Sequence, residues 1–264
     1  MDRMDHTVPR WAGCYRALIA GKTDDIAALR GMLAAAPPGP VLELGAGFGR
    51  LAVVAAEAGR QVVAVEPHDL MLDHRDSYLK DVPDEVRERI TWRVADAREV
   101  GQWQHDAGRY AVVVCAYNGL NEIVDGLAEV IEGAATMLAP GGLLYLDWHS
   151  APYDRAGAVE FCDYVQAQDE RWAVFTVVQN FADGRHDLTL IYERIDGDRA
   201  GERFYHVLPR RSWGREAVRA AAAPAFDEHP ELSGGTVLVL VRKENQVEDV
   251  LVEEVSIDGM CGVY

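Results

Sequence analysis

Between residues 40 and 148, short continuous apolar runs alternate with stretches of helical periodicity. The runs Val41–Leu44, Gln61–Glu66, Ile90–Val94, Tyr110–Ala116 and Leu143–Trp148 predict buried strands, and Phe48–Ala58, Asp69–Leu79 and Asn121–Leu138 predict helices between them. That alternation is the pattern of an α/β fold, a parallel sheet with helices on both faces. The Pro140-Gly141-Gly142 turn is expected to break the last helix and launch the fifth strand. A helical region over about residues 11–36 precedes the first strand and ends at Pro37, Pro38 and Pro40.

After Ser150 the pattern changes. Arg171–Phe181, Leu188–Ile195 and Phe204–Leu208 are strand-like runs separated by the turn signals Asp183-Gly184 and Asp196-Gly197, so they predict hairpins, not crossovers. A short helix over about Ser212–Ala223 and a strand at Thr236–Arg242 bring the chain back to the main sheet. The hairpins, about residues 171–208, are therefore expected to form an inserted antiparallel β lid over the sheet's C-terminal edge.

The 264 residues, 49% of them hydrophobic, suffice for a substantial core. No run approaches the ~18 apolar residues of a membrane span. The N-terminal MDRMDHTVPRW lacks the apolar core of a signal peptide, which predicts a cytoplasmic protein. Cys14, Cys115, Cys162 and Cys261 have no C-x-x-C spacing, which argues against a disulfide scaffold or zinc ribbon. No HExxH pair, Ser-centred elbow or aspartate-rich metal cluster is present. A net charge of -17 argues against a general nucleic-acid binder, because phosphate backbones need a surplus of Lys and Arg, and leaves open only a local basic cleft.

The chemistry begins at Gly45-Ala46-Gly47-Phe48-Gly49, a glycine-rich turn between a buried strand and a helix. Backbone there can approach a ligand closely, and helix-start N–H groups point toward it. Glu43 stands two residues before the first glycine, and Glu66 ends the second strand 17 residues after Gly49. A carboxylate at that strand tip can accept both hydroxyl protons of a ribose, which suits NAD or S-adenosylmethionine. The dinucleotide fingerprint, however, needs its third glycine where Arg50 stands. An adenosyl ligand with an amino-acid tail has no phosphate to cradle, and Glu43 is well used beside its ammonium group.

These residues resemble the class I S-adenosylmethionine-dependent methyltransferases, over about residues 10–243. The likeness rests on Glu43-x-Gly45-x-Gly47-x-Gly49, Glu66-Pro67, Ala95-Asp96-Ala97 and Leu138-Ala139-Pro140-Gly141-Gly142. It implies a Rossmann-like sheet and S-adenosyl-L-methionine as cofactor. Glu66 and Pro67 would lie at the ribose, Asp96 at the adenine amino group and Ala97 at the ring edge. Gly45, Ala46, Gly47 and Gly49 would hold the methionine part, and Cys115 to Asn118 would face the sulfonium. Tyr15-Arg16-x-Leu18-x-x-Gly21-Lys22, followed by hairpins after the fifth strand, is similar to the sugar N-methylating members, which places Tyr15 at the cofactor too. Those members commonly have a second aromatic where Ile19 stands.

Methyl transfer from a sulfonium needs mainly alignment, and a hydroxyl acceptor also needs a base. His149 and Asp147 end the fifth strand, on the ligand-binding edge, and His149 is the candidate base; packing under the lid or exposure on a loop is the alternative. Tyr117, Asn118 and Asn121 can orient an acceptor, or Asn121 can cap a helix. His206, on a lid strand, either reaches the same cavity or faces solvent.

Residues 244–264 carry six carboxylates and no Lys or Arg, which by composition predicts a disordered or extended tail. From Leu251 to Tyr264 they resemble, residue after residue, the end of the mycofactocin precursor peptide. In that family a radical maturase with a small chaperone oxidatively decarboxylates the terminal Tyr and crosslinks it to the adjacent Val, and a peptidase releases the pair. The resemblance implies that Val263 and Tyr264 are modified and that cleavage follows Gly262. Three readings result: a methyltransferase (residues 1–243) acting on a small-molecule acceptor, such as a sugar hydroxyl of mycofactocin or an amino group of another metabolite, fused to a precursor; a precursor carried on a domain without required turnover; or a cofactor-binding or scaffold module without turnover.

Overall fold

The computed structural model describes residues 9–244 except 152, 153, 155, 156, 168 and 198. Two helices, α1 (Pro9–Ile19) and α2 (Asp24–Ala35), lead into β1 (Val41–Leu44), α3 (Arg50–Glu57), β2 (Val62–Val65), α4 (Asp69–Leu79), the short α5 (Asp84–Arg87) and β3 (Ile90–Arg93). Next come β4 (Tyr110–Cys115), α6 (Gly119–Glu122), α7 (Leu127–Met137) and β5 (Leu138–Asp147). A separate antiparallel sheet is built by β6 (Val159–Ala167), β7 (Glu170–Asn180), β8 (Arg185–Asp196) and β9 (Arg199–Arg211). Finally α8 (Arg215–Ala222), β10 (Phe226–Glu228) and β11 (Val237–Arg242) rejoin the first sheet.

That first sheet has the order β10-β11-β5-β4-β1-β2-β3. Strands β1 to β5 are parallel, whereas β11 lies antiparallel beside β5, and β10 antiparallel beside β11. Continuous apolar runs arise because both faces are covered. Leu42, Val113 and Leu144 pack with α7 and α8, while their neighbours Val41, Val112 and Leu143 pack with α2 and α3. Strand order reverses between β1 and β4, which opens a crevice at their C-terminal ends.

Four sequence expectations need correction. The helix expected over Asn121–Leu138 is two pieces, because Gly126 adopts φ 96° and residues 123–126 leave the helical path. Pro140-Gly141-Gly142 does not precede the fifth strand but forms an irregularity within it: Leu138 pairs with Tyr110, and regular pairing resumes only at Leu143 with Val112. A Cβ on Gly142 would lie 2.9 Å from the Ala139 carbonyl oxygen, so the bend requires glycine. The lid gains β6, hidden in the sequence because a bulge between Phe161 and Asp163 breaks its two-residue alternation. It therefore spans 159–211, not 171–208. The short β10 was not expected.

The N-terminal helices are bound to the sheet by a buried ion pair. Arg50, the first residue of α3, donates through Nη1 to Asp25 Oδ1 of α2 at 2.8 Å and through Nη2 to Oδ2. Both side chains are under a tenth exposed. Removing one partner would leave the other charge buried alone, at a cost of about 3–5 kcal/mol. Asp25→Ala should therefore lower unfolding free energy by about that amount in urea titration, whereas Asp24→Ala, one residue away and exposed, should change it by less than ~0.5 kcal/mol.

Candidate functional site

The crevice between β1 and β4 holds a cavity of about 450 Å³. The turn after β1 shapes its floor: Gly45, Gly47 and Gly49 have φ of 72°, 57° and 93°, values that exclude most side chains. Gly45 and Ala46 line the cavity, while Gly47 and Gly49 are not among its lining residues. A Cβ on Gly49 would approach the Trp92 ring to 2.6 Å, so this glycine is required by packing; beside Gly45 nothing lies within 4 Å.

Glu66 clamps the turn. Its carboxylate accepts from the Gly47 N–H at 2.8 Å and the His68 N–H at 3.0 Å. Burial raises its pKa to about 7 in spite of these two donors. Glu43, inside a strand buried at every position, is pushed up by burial to about 8, and its Oε2 has no hydrogen-bond partner. A buried acceptor in that state is costly unless a donor arrives. Asp96 follows β3 and is held below the usual carboxylate range chiefly by the Arg98 side chain, which donates from Nε at 2.8 Å. Pro67, Ala97 and Cys115 complete the expected group at the cavity wall, where burial raises the Cys115 thiol to about 12.

At the other end Trp11, Tyr15 and Ile19 reach the cavity from α1, spaced four residues apart along one face. Tyr117 joins them from a strained connection: Tyr117 and Asn118 both have left-handed φ, 50° and 62°. Lid strand β9 contributes His206 and Leu208 to the same cavity, so the lid covers the edge that holds the glycine turn. His206 is buried against the Trp11 ring, with centroids 4.1 Å apart, and does not face solvent. The break between α6 and α7 supplies Ile123, Val124 and Asp125.

His149, Asn118 and Asp147 are not among the cavity-lining residues. The His149 backbone is tied at both ends to the Asn121 side chain, N–H to Oδ1 and carbonyl to Nδ2, each at 2.8 Å. Asn121 also donates to the Arg211 carbonyl of β9 at 2.8 Å, so it fastens the lid to the sheet and does not cap a helix. The Asn118 N–H donates to the Asp147 carbonyl at 3.1 Å, which fixes the connection after β4. Val263 and Tyr264 lie outside the described residues.

Sequence reading passed over Trp11 and Glu122, although the Trp11-Tyr15-Ile19 spacing is visible as a helix face. No group of His, Cys, Asp or Glu among the described residues is arranged to hold a metal ion. No helix among them is long and apolar enough to cross a membrane.

This architecture has solved counterparts. DesVI of Streptomyces venezuelae superposes with a TM-score of 0.68 at 19% identity, over 91% of this chain and 100% of that one. The S-adenosylmethionine-bound CalS10, an amino pentose methyltransferase of Micromonospora echinaspora, gives 0.66 at 22% identity over 92% and 100%. The fold is that of a class I methyltransferase. Within it, residues 41–142 match the family model of the methyltransferase domain. The sugar N-methyltransferase KedS8 of Streptoalloteichus sp ATCC 53650 is a further neighbour, with 0.65 at 20% identity over 87% and 93%. Residues 241–264 match the family model of the mycofactocin precursor peptide. No curated protein matches the chain in sequence.

The buried carboxyl of Glu43 gives a pH signature. Its folded value of about 8 lies above the unfolded value of 4.5, so the folded state binds the extra proton between them and stability falls as pH rises through that window. Glu43→Gln should therefore raise the melting temperature of the ligand-free protein at pH 8 by on the order of 5 °C and change it little at pH 5. Scanning calorimetry at the two pH values checks this, and equal shifts at both would count against it.

Proposed function

We propose that this chain binds S-adenosylmethionine in the β1–β4 crevice and transfers its methyl group to a small-molecule acceptor. The observation that carries the reading is the buried, partnerless oxygen of Glu43 beside the glycine turn, an acceptor placed for an ammonium group. When bound, the cofactor supplies a methyl on a sulfonium, which leaves the protein to position, desolvate and manage a proton. Glu43 and the Gly45–Gly49 turn hold the amino-acid part, with Tyr15 closing over it. Glu66 and Pro67 hold the ribose, Asp96 and Ala97 the adenine, and Cys115 lies under the reacting centre.

The acceptor enters at the opposite wall, between Trp11, His206, Leu208 and Glu122. If it presents a hydroxyl, His206 takes the base role first read for His149, because His206 lines the cavity and His149 does not. His149, Asn118 and Asp147 position the connections behind the site. The sugar-methylating neighbours favour a sugar acceptor, and the precursor match favours a sugar hydroxyl of mycofactocin. In a cytoplasmic setting the tail would meet a radical maturase and its chaperone, with Val263 and Tyr264 as the residues they modify.

The precursor match also supports a second reading, in which the domain is a carrier and turnover is dispensable. Intact mass separates the two: a chain recovered from its host and shortened after Gly262 marks precursor use, and methyl transfer by a chain with an unaltered tail marks the enzyme.

Calorimetry should show binding of S-adenosylmethionine and of its demethylated product. A folded protein that bound neither would end the proposal. Gly47→Val should weaken binding at least ~100-fold, since φ of 57° and a Met71 Cε 3.2 Å from the new Cβ force the turn to move. Against a hydroxyl acceptor, His206→Ala should slow transfer ~100-fold or more while His149→Ala costs less than ~10-fold; the reverse ranking would return the base role to His149.

Incubated with the maturase and chaperone, the full chain should lose the mass of carbon dioxide and two hydrogens, and Tyr264→Ala should lose nothing. An unaltered full chain beside a free precursor peptide that reacts normally would end the precursor assignment.

A further inference from the structure

The carboxylate of Asp96, assigned above to the adenine amino group, is already engaged within the chain. Its Oδ1 accepts from the Arg98 backbone N–H at 2.8 Å and from Arg98 Nε at 2.8 Å, and its Oδ2 accepts from Arg98 Nη2. A carboxylate offers about four lone-pair sites, so these donors fill most of them and set a guanidinium charge alongside. Arg98 lines the cavity next to Asp96 and Ala97, so a ligand that reaches the acid also meets the arginine.

Ion pairs between half-exposed side chains are common and most mean little. This one is seated in a dedicated place. The stem of Arg98 lies across Gly126, at the break between α6 and α7, where a Cβ would stand 2.7 Å from Arg98 Cδ and 3.2 Å from Cγ. Gly126 has φ 96°, and the same break puts Ile123, Val124 and Asp125 on the cavity wall. Glycine thus shapes the connection after α6 around the arginine that covers Asp96.

We propose that Arg98 competes with the adenine amino group for Asp96, which holds down affinity for the cofactor and its demethylated product and lets the product leave. The inference rests on the cofactor reading of the cavity and adds a residue that opposes binding. An N–H donor on a free carboxylate makes a charge-assisted bond, roughly twice as strong as a neutral one. Beside Arg98 the carboxylate is neutralised, and the amino group must share it or displace Nη2. Displacement strands no charge, because the Arg98 side chain is 51% exposed, and Asp125 and Glu99 attract it through space. Cofactor and product carry the same adenine, so the competition acts on both. The contrary role, in which Arg98 orients Asp96 for the ligand, predicts the opposite sign on removal.

Calorimetry on the full chain decides between them, with S-adenosylhomocysteine and its analogue bearing hydrogen in place of the 6-amino group as ligands. Arg98→Met keeps a stem over Gly126 and removes the charge, while the residue-98 N–H still holds Asp96. The variant should bind S-adenosylhomocysteine about 10-fold tighter than the unaltered chain, through slower dissociation, and the analogue within ~3-fold of it. Should it not fold by far-ultraviolet circular dichroism, Arg98→Lys takes its place; it lacks the two-pronged donor and should give a selective gain of about 3-fold. Weaker binding by the variant overturns the proposal, by making Arg98 a residue that orients Asp96 or holds the adenine. An equal gain for both ligands, or no change for either, overturns it as well. An unaltered chain that binds neither ligand removes the cofactor reading and this inference with it, whereas binding without the selective gain removes the inference alone.

Discussion

Arg50 is the residue on which the site's architecture turns. It stands at the first position of α3, directly after the glycine turn, and its guanidinium is spent on Asp25 of α2, the Lys22 carbonyl at 3.2 Å and the Tyr117 ring at 5.3 Å. One buried cation thus joins the N-terminal helices, the turn after β1 and the strained connection after β4. Those segments form the cavity from three directions. Because a buried charge tolerates only a narrow arrangement of partners, the pair specifies geometry more than it adds stability. Arg50 also occupies the position where a dinucleotide fingerprint needs glycine, so the residue that organises this cavity is the one that separates it from a pyrophosphate site.

Two carboxyls sit inside the frame Arg50 maintains, and they are held differently. Glu66 receives two backbone N–H donors that are part of the fold, and serves the turn whether or not a ligand is present. Glu43 has an oxygen with no partner, although Arg50 lowers the penalty through space. A core position of β1 could carry an apolar residue at no cost to the sheet. An acid there is explained by a ligand that brings a donor, which is why stability and binding should respond to Glu43→Gln in opposite directions.

Much of this was legible in the residues because the signals were local. Strands of a sheet covered on both faces read as continuous apolar runs, and a turn with left-handed φ at Gly45, Gly47 and Gly49 reads as glycines. The central strands and the carboxyls Glu43 and Glu66 follow from such signals, whereas Asp96 and Cys115 follow from the resemblance to a known family. What failed depends on contacts distant in sequence. His149 and His206 look equivalent as letters, but Asn121 fixes the first through its backbone, and pairing across β8 and β9 turns the second inward. The bulge in β6 hides a strand, and the break at Gly126 looks like one tolerated glycine in a helix until its residues are seen lining the cavity.

The direction of β11 determines where the segment that matches the precursor family leaves the sheet relative to the cavity. β11 runs antiparallel to β5, from Val237 opposite Asp147 at the cavity end to Val241 opposite Leu143. The described chain therefore finishes, at Glu244, on the sheet edge away from the cavity, and the precursor match begins there, at residue 241. An enzyme that seizes the tail at its root meets α8 and β10, where Lys243 Nζ donates to the Ala223 carbonyl at 2.7 Å, and not the lid or the α1 aromatics. Had the last strand been parallel to its neighbour, the tail would have started on the sheet edge that holds the cavity, beside Asp147. The antiparallel final strand separates the root of the segment that matches the precursor family from the cavity by the height of the sheet.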